Sequence, residues 1–180
     1  MSTDTLNFRN ATSADTDAVV ALVESAYRGD SGRRGWTTEA DILDGRRTGP
    51  DEIEIVLAEP QSIILLAERD NSGTPELLAC AHIAVEDGAG YFGMFSVNPT
   101  LQGAGVGKRV IEEAERIARE EWKLPSMRMT VINVREELIQ FYVRRGYLRT
   151  GVFKPFPYGD ARFGLPKRDD LSFEVLEKTF

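Results

Sequence analysis

Residues 77–120 constrain the fold more than any other part of the chain. Two apolar runs, "LLACAHIAV" (77–85) and "YFGMFSV" (91–97), are joined by the tight turn "EDGAG", which pairs them as an antiparallel hairpin. The second run leads directly into "NPTLQGAGVGKRV" (98–110). From Gly105 to about Glu120, apolar residues at 106, 110, 114, 117 and 118 then keep a helical period. A hairpin whose second strand feeds a helix belongs in a layered α/β domain.

The flanking sequence extends the same layout. "LNFRNAT" (6–12) is strand-like, and Ser13 can cap a helix running to Tyr27. Thr37 or Thr38 would cap a short helix through Leu43, ended by Gly45, and Pro50 opens a further helical piece. "SIILLAERD" (62–70), "MRMTVIN" (127–133), "YLRTGVF" (147–153) and "LSFEVLEKTF" (171–180) are extended, while "REELIQFYVRR" (135–145) is helical and stops at Gly146. This order gives a mixed sheet of about seven strands flanked by helices, not a regular βαβ repeat. No internal repeat, low-complexity tract or linker interrupts it, so residues 1–180 are expected to form one domain.

Charge and cysteine content narrow the function. A net charge of −7 argues against a nucleic-acid binder, whose affinity would come from a basic surface. No run approaches the length of a membrane span, and "MSTDTLNFRN" lacks a signal-peptide core. Cys80 is alone, which excludes an internal disulfide or a cysteine-built zinc site and suits a reducing cytoplasm.

Against that acidic background, the cations Lys108 and Arg109 stand out at the start of a helix, where they oppose the helix dipole by about 0.3–1 kcal/mol each. Gly103, Gly105 and Gly107 precede or flank them. The stretch is not a P-loop, because Gln102 and Arg109 stand where glycine and Ser or Thr are required. Nor is it a dinucleotide fingerprint, since Lys108 occupies the third glycine position. The shared physics still holds: bare backbone lets an anion approach, and the first turn of a helix offers unpaired N–H groups. A glycine-rich turn with solvated basic side chains is the plain alternative.

Val97-x-Pro99-x-x-Gln102-Gly103-x-Gly105-x-Gly107 between a strand and a helix closely resembles the acyl-CoA pyrophosphate signature of the GNAT superfamily of N-acetyltransferases. "FYVRRGY" (141–147) resembles that family's Tyr-x-x-x-Gly-Phe/Tyr element, and the distance between the two blocks fits. "GWTTEAD" and "PFPYGDARFG" resemble a bacterial subgroup without an assigned acceptor. The resemblance implies a sheet splayed between its fourth and fifth strands to admit acetyl-CoA. The cofactor contacts it implies are the backbone around Phe95, Ser96 and Val97, the loop Gln102, Gly103, Ala104, Gly105, Val106, Gly107 and Lys108, and Asn133. It makes Tyr142 the acid that protonates the leaving thiolate. The sequence departs from the family where Arg135 and Leu138 replace the usual Asn and Ala before the tyrosine. It also departs in "YFGMFSV", which lacks the frequent strand glutamate. His82, Glu39, Asp41, Glu86 and Asp160 are the remaining candidates for a base, and Cys80 is best explained as a small core residue.

The expected activity is acetyl transfer from acetyl-CoA to a primary amine, directly and without metal, in the cytoplasm. The acceptor is a small molecule or a peptide amine. A non-catalytic acyl-CoA-binding sensor or interaction module is the rival reading. Residues 153–168 carry three prolines and four aromatics, too irregular for a helix and too apolar for a solvated connection. That stretch and "GWTTEAD" are expected to wall the acceptor pocket. Trp36, Phe156 and Tyr158 would give apolar contact, and Glu39 or Asp160 would hold a cationic amine. Alternatively the stretch is a rigid cover on the sheet edge or on the partner of a homodimer.

Overall fold

The computed structural model describes residues 5–27, 43–45, 47–101, 105–160 and 164–180. Its main element is a seven-stranded sheet in the order β1-β3-β4-β5-β6-β9-β7. These strands are β1 (Asn7–Asn10), β3 (Ser62–Asn71), β4 (Thr74–Glu86), β5 (Ala89–Val97), β6 (Ser126–Ile132), β7 (Leu148–Pro155) and β9 (Ser172–Thr179). All neighbours are antiparallel except β5 and β6. A separate two-stranded ribbon pairs β2 (Leu43–Asp44) with β8 (Leu165–Pro166). Neither short strand carries a pattern the sequence could announce. Leu43 was expected at the end of a helix and lies in β2 instead, while Thr37 and Thr38 fall outside the described residues.

Alternation along the strands divides the core between two faces. On one, α1 (Thr16–Tyr27) and α2 (Pro50–Ala58) cover Ile64, Leu66 and Cys80. On the other, α3 (Val106–Arg116), a π turn (Ile117–Glu121) and α4 (Glu136–Val143) cover Leu65, Ala79, Ala81, Ile83, Phe92 and Met129. The first helix is entered through a 3₁₀ turn (Ser13–Asp15) with Thr12, rather than Ser13, in the capping box. The Ser13 hydroxyl instead donates to Glu54 at 3.0 Å. A smaller cluster of Leu43, Ile132, Phe156 and Leu171 closes the far end of β6.

The feature that matters for function is how β5 and β6, the fourth and fifth strands of the sheet order, run together and then part. They pair only at Gly90–Met127 and Tyr91–Arg128. Gly90 is required at that junction, because a Cβ there would stand 2.9 Å from the Met127 sulfur. Past Tyr91 the two strands diverge, and the β6-facing backbone edge of β5 opens into a cleft of about 240 Å³.

Candidate active site

The floor of the cleft is a β-bulge. Cys80 pairs with Ser96 and His82 with Gly93, so Ala81 faces two residues, Met94 and Phe95. Met94 adopts φ 50°, a left-handed backbone that a non-glycine residue holds at about 1–3 kcal/mol. Three polar groups secure the distortion. The Tyr27 hydroxyl, at the end of α1, donates to the Phe95 carbonyl at 2.7 Å. The Ser96 hydroxyl, itself buried, donates to the Met94 carbonyl at 3.2 Å, and the Cys80 thiol lies 4.0 Å from the same oxygen. Burial pushes the Cys80 thiol up to about 12, which removes it as a nucleophile at neutral pH.

Tyr142 reaches the cleft from α4. Its ring packs against Phe92, Phe95, Phe141 and Tyr147 at centroid distances of 6.3, 6.4, 5.5 and 6.0 Å. Burial holds its phenol well above the usual tyrosine range; Tyr27 adds to the effect and Arg135 opposes it. The side chain is therefore a protonated donor throughout the physiological range.

The glycine loop separates into positions with different reasons for being glycine. Gly105 sits at φ 81° as the N-cap of α3, with nothing within 4 Å of a hypothetical Cβ, so its role is conformational. Gly107 is a packing glycine: a Cβ there would lie 3.0 Å from Phe95 Cζ and 3.7 Å from Phe141 Cζ. The first turn of α3 thus rests directly on the rings beside the bulge. Lys108 and Arg109 are exposed, and Lys108 pairs loosely with Glu112 at 3.8 Å. Gln102, Gly103 and Ala104 lie outside the described residues, as do Trp36, Glu39 and Asp41.

The other expected site residues fall in different places. Phe156 is buried and lines the cleft, its ring tilted against Phe173 at 5.5 Å between centroids. The Tyr158 hydroxyl bridges the turn before β9, donating to the Arg168 carbonyl at 3.0 Å and accepting from the Leu171 amide at 2.9 Å. Asp160 is half-buried and does not line the cleft. The Asn133 amide is taken up by the Asp170 carbonyl and the Ser172 N–H, tying β6 to the start of β9.

Tyr27 and Arg47 were not singled out from the sequence, and Arg135 only as a departure from the family's usual Asn. Tyr27 pins the bulge, and the guanidiniums of Arg47 and Arg135 lie 5.1 and 5.7 Å from its ring centroid. Both arginines line the cleft, and they are its only charged side chains among the described residues. Glu24 of α1 positions Arg47 by accepting the N–H groups of Arg47 and Thr48. A second pocket of about 380 Å³ on the α1/α2 face contains His82 and shares Arg47, Tyr91 and Met94 with the cleft, so the two meet at the bulge. Among the described residues no group of His, Cys, Asp and Glu could hold a metal ion, and no helix is long and apolar enough to cross a membrane.

Residues 21–147 match the model of the acetyltransferase (GNAT) family. Among solved structures, the chain is similar to a GNAT-family acetyltransferase from Streptococcus pneumoniae (TM-score 0.66, 18% identity, 98% of this chain and 100% of that one). It is also similar to the ribosomal-protein-S18-alanine N-acetyltransferase from Escherichia coli (TM-score 0.67, 12% identity, 97% and 94% covered). A third, assigned as a streptothricin acetyltransferase from Bacillus anthracis and solved with acetyl coenzyme A, gives a TM-score of 0.56 at 20% identity over 71% of this chain and 67% of that one. No curated protein matches the chain by sequence.

Proposed function

The chain belongs to the acetyltransferase (GNAT) family, and from that premise we propose that it moves an acetyl group from acetyl-CoA to a primary amine, by direct transfer with both substrates bound at the β5 bulge. The observation that carries the reading is the bulge at Met94–Phe95, set in a cleft between parting strands with a buried, protonated tyrosine beside it.

In this reading the glycine loop and the first turn of α3 take the pyrophosphate, where the unpaired N–H groups and Lys108 meet its charge. The pantetheine runs along the open edge of β5. Backbone N–H groups at the bulge then stabilise the thioester oxygen as it gains charge, and Tyr142 protonates the departing sulfur. The burial that disfavours a phenolate equally disfavours a thiolate in the same place, so the proton transfer stays within reach. The acceptor enters from the α1/α2 side, past Arg47 and Phe156, with Trp36, Glu39, Tyr158 and Asp160 as further contacts from the two flanking loops. The whole chain acts as one cytoplasmic domain.

Replacing Tyr142 with Phe keeps the ring contacts and removes only the hydroxyl. Turnover is expected to fall about 10²-fold with acetyl-CoA affinity unchanged. Equal turnover by the two proteins would leave Tyr142 a packing residue. A non-catalytic acyl-CoA-binding module is the second reading, favoured by the lack of an acidic residue in β5. CoA release across a panel of amines, amino acids and peptides separates the two, since the module would bind acetyl-CoA and release nothing.

A further inference from the structure

The base that the transfer requires is not on β5, and the α1/α2 face offers one. α2 ends at Ala58: Glu59, held extended ahead of Pro60 at φ −69° and ψ 139°, turns the chain out of the helix, and Pro60 has no N–H to offer, so the Val56 carbonyl has no helical donor. The Ser62 hydroxyl supplies one, donating to Val56 O at 3.0 Å. A serine hydroxyl has a single proton. The 2.7 Å contact between Ser62 Oγ and His82 Nε2 must then be donated by the imidazole, which places the ring proton on Nε2 and leaves the lone pair on Nδ1. Among the described residues the ring makes no other hydrogen bond, and it packs edge-on against Tyr91 at 5.6 Å between centroids.

His82 is half-buried, sits directly across from Gly93 at the start of the bulge, and lines the pocket that meets the cleft at Arg47, Tyr91 and Met94. We propose that His82, through Nδ1, is the catalytic base that takes the proton from the acceptor amine, and that Pro60 fixes the tautomer this role needs. The inference rests on the acetyl-transfer reading above. An ammonium acceptor gives one proton to Nδ1, which releases it to solvent. The neutral nitrogen forms the C–N bond as the C–S pair leaves on sulfur. Tyr142 protonates that sulfur, the new amide nitrogen sheds its remaining extra proton to solvent, and solvent restores Tyr142.

Charged and titratable groups around the ring are Glu52 on α2, Glu59 after it, Arg47 before it and Tyr91 on β5. Burial lowers the His82 pKa and Glu59 opposes that, so the ring is neutral and ready to accept at pH 7.

His82 is the only histidine, so ¹⁵N-histidine labelling gives a spectrum of this ring alone. The expected spectrum of the wild type at pH 7.5 shows a protonated Nε2 and an unprotonated Nδ1; a protonated Nδ1 overturns the proposal. Pro60→Ala lifts the bar to a helical Glu59, so that an N–H at 60 can reach Val56 O; this frees the serine proton for Nε2 and should populate the other tautomer in a folded protein. Kinetics use ethylamine, cationic at pH 7, and hydroxylamine, which is already neutral there. His82→Gln should slow ethylamine turnover about 10²-fold and hydroxylamine turnover by less than about threefold, with Pro60→Ala showing the same contrast more weakly. Equal slowing with both nucleophiles overturns the base role. If the wild type releases CoA with neither, the transfer reading fails and the base role with it, and the tautomer spectrum still reports whether Pro60 acts as argued.

Discussion

Substituting Gly107 with Ala tests how the cofactor loop is coupled to the bulge. The residue lies in the first turn of α3, where alanine is favoured over glycine by up to about 1 kcal/mol. Its Cβ, however, would stand 3.0 Å from Phe95 Cζ, tighter than ordinary packing allows. The Phe95 ring has little room to yield. It stacks on Phe141 at 6.2 Å, leans on Phe92 at 5.4 Å, and Phe141 is itself held under the Arg145 guanidinium at 3.6 Å. Overpacking of this kind costs about 1–3 kcal/mol, so the net effect is a loss of about 0–3 kcal/mol. In a Phe95→Leu background the clash is gone and the helix preference remains. The same substitution should then stabilise by up to about 1 kcal/mol, a coupling of about 1–3 kcal/mol in the four-protein cycle. Urea denaturation of the four proteins measures it. Effects that add to within about 0.5 kcal/mol would refute the packing account of Gly107 and return the glycine to ligand approach alone.

Gly105→Val places a β-branched residue at φ 81° and should weaken acetyl-CoA binding at least tenfold by calorimetry in a protein that still folds, because the N-cap of α3 must move. Tyr27→Phe removes the donor to Phe95 O. That carbonyl borders an open cleft where water can replace the hydroxyl, so the stability loss should stay near 1 kcal/mol, about 2–4 °C in melting temperature, while turnover falls about tenfold as the bulge relaxes. Burial raises the pKa of Tyr142, Tyr91 and Tyr147, so the unfolded chain loses these protons first as pH rises. Their stabilising contribution is complete below about pH 10 and is lost above it, and Tyr142→Phe should flatten the alkaline limb of a stability–pH curve.

Much of the backbone around the candidate site could be read from the residues because it is built from local requirements. Gly105 at a left-handed N-cap, Gly146 ending α4 at φ 97°, and the hairpin between β4 and β5 each follow from the conformational freedom or hydrogen bonding of a few consecutive residues. The reason for Gly107 was not legible, since it depends on two rings distant in sequence, Phe95 and Phe141, that meet it only through packing. The bulge was hidden for a related reason. "YFGMFSV" reads as simple alternation, yet Phe92 and Phe95, three apart, both join the α3/α4 core, and only the register with β4 shows the inserted residue. Tyr27, Arg47 and Arg135 come from three distant segments that no periodicity connects. The β2–β8 ribbon is two residues long on each side, too short for any pattern to outweigh the helical capping signal at Thr37 or Thr38. His82 was one of several candidate bases in the sequence; what distinguishes it is a helix end made incomplete by Pro60 and completed by Ser62.

The most direct test of the account is a crystal structure with acetyl-CoA bound. The pantetheine is expected between β5 and β6, with the thioester oxygen on backbone N–H groups of the Met94–Phe95 bulge and the sulfur within hydrogen-bonding reach of Tyr142 Oη. A thioester lying away from the bulge, or a sulfur facing any group other than Tyr142, would contradict it.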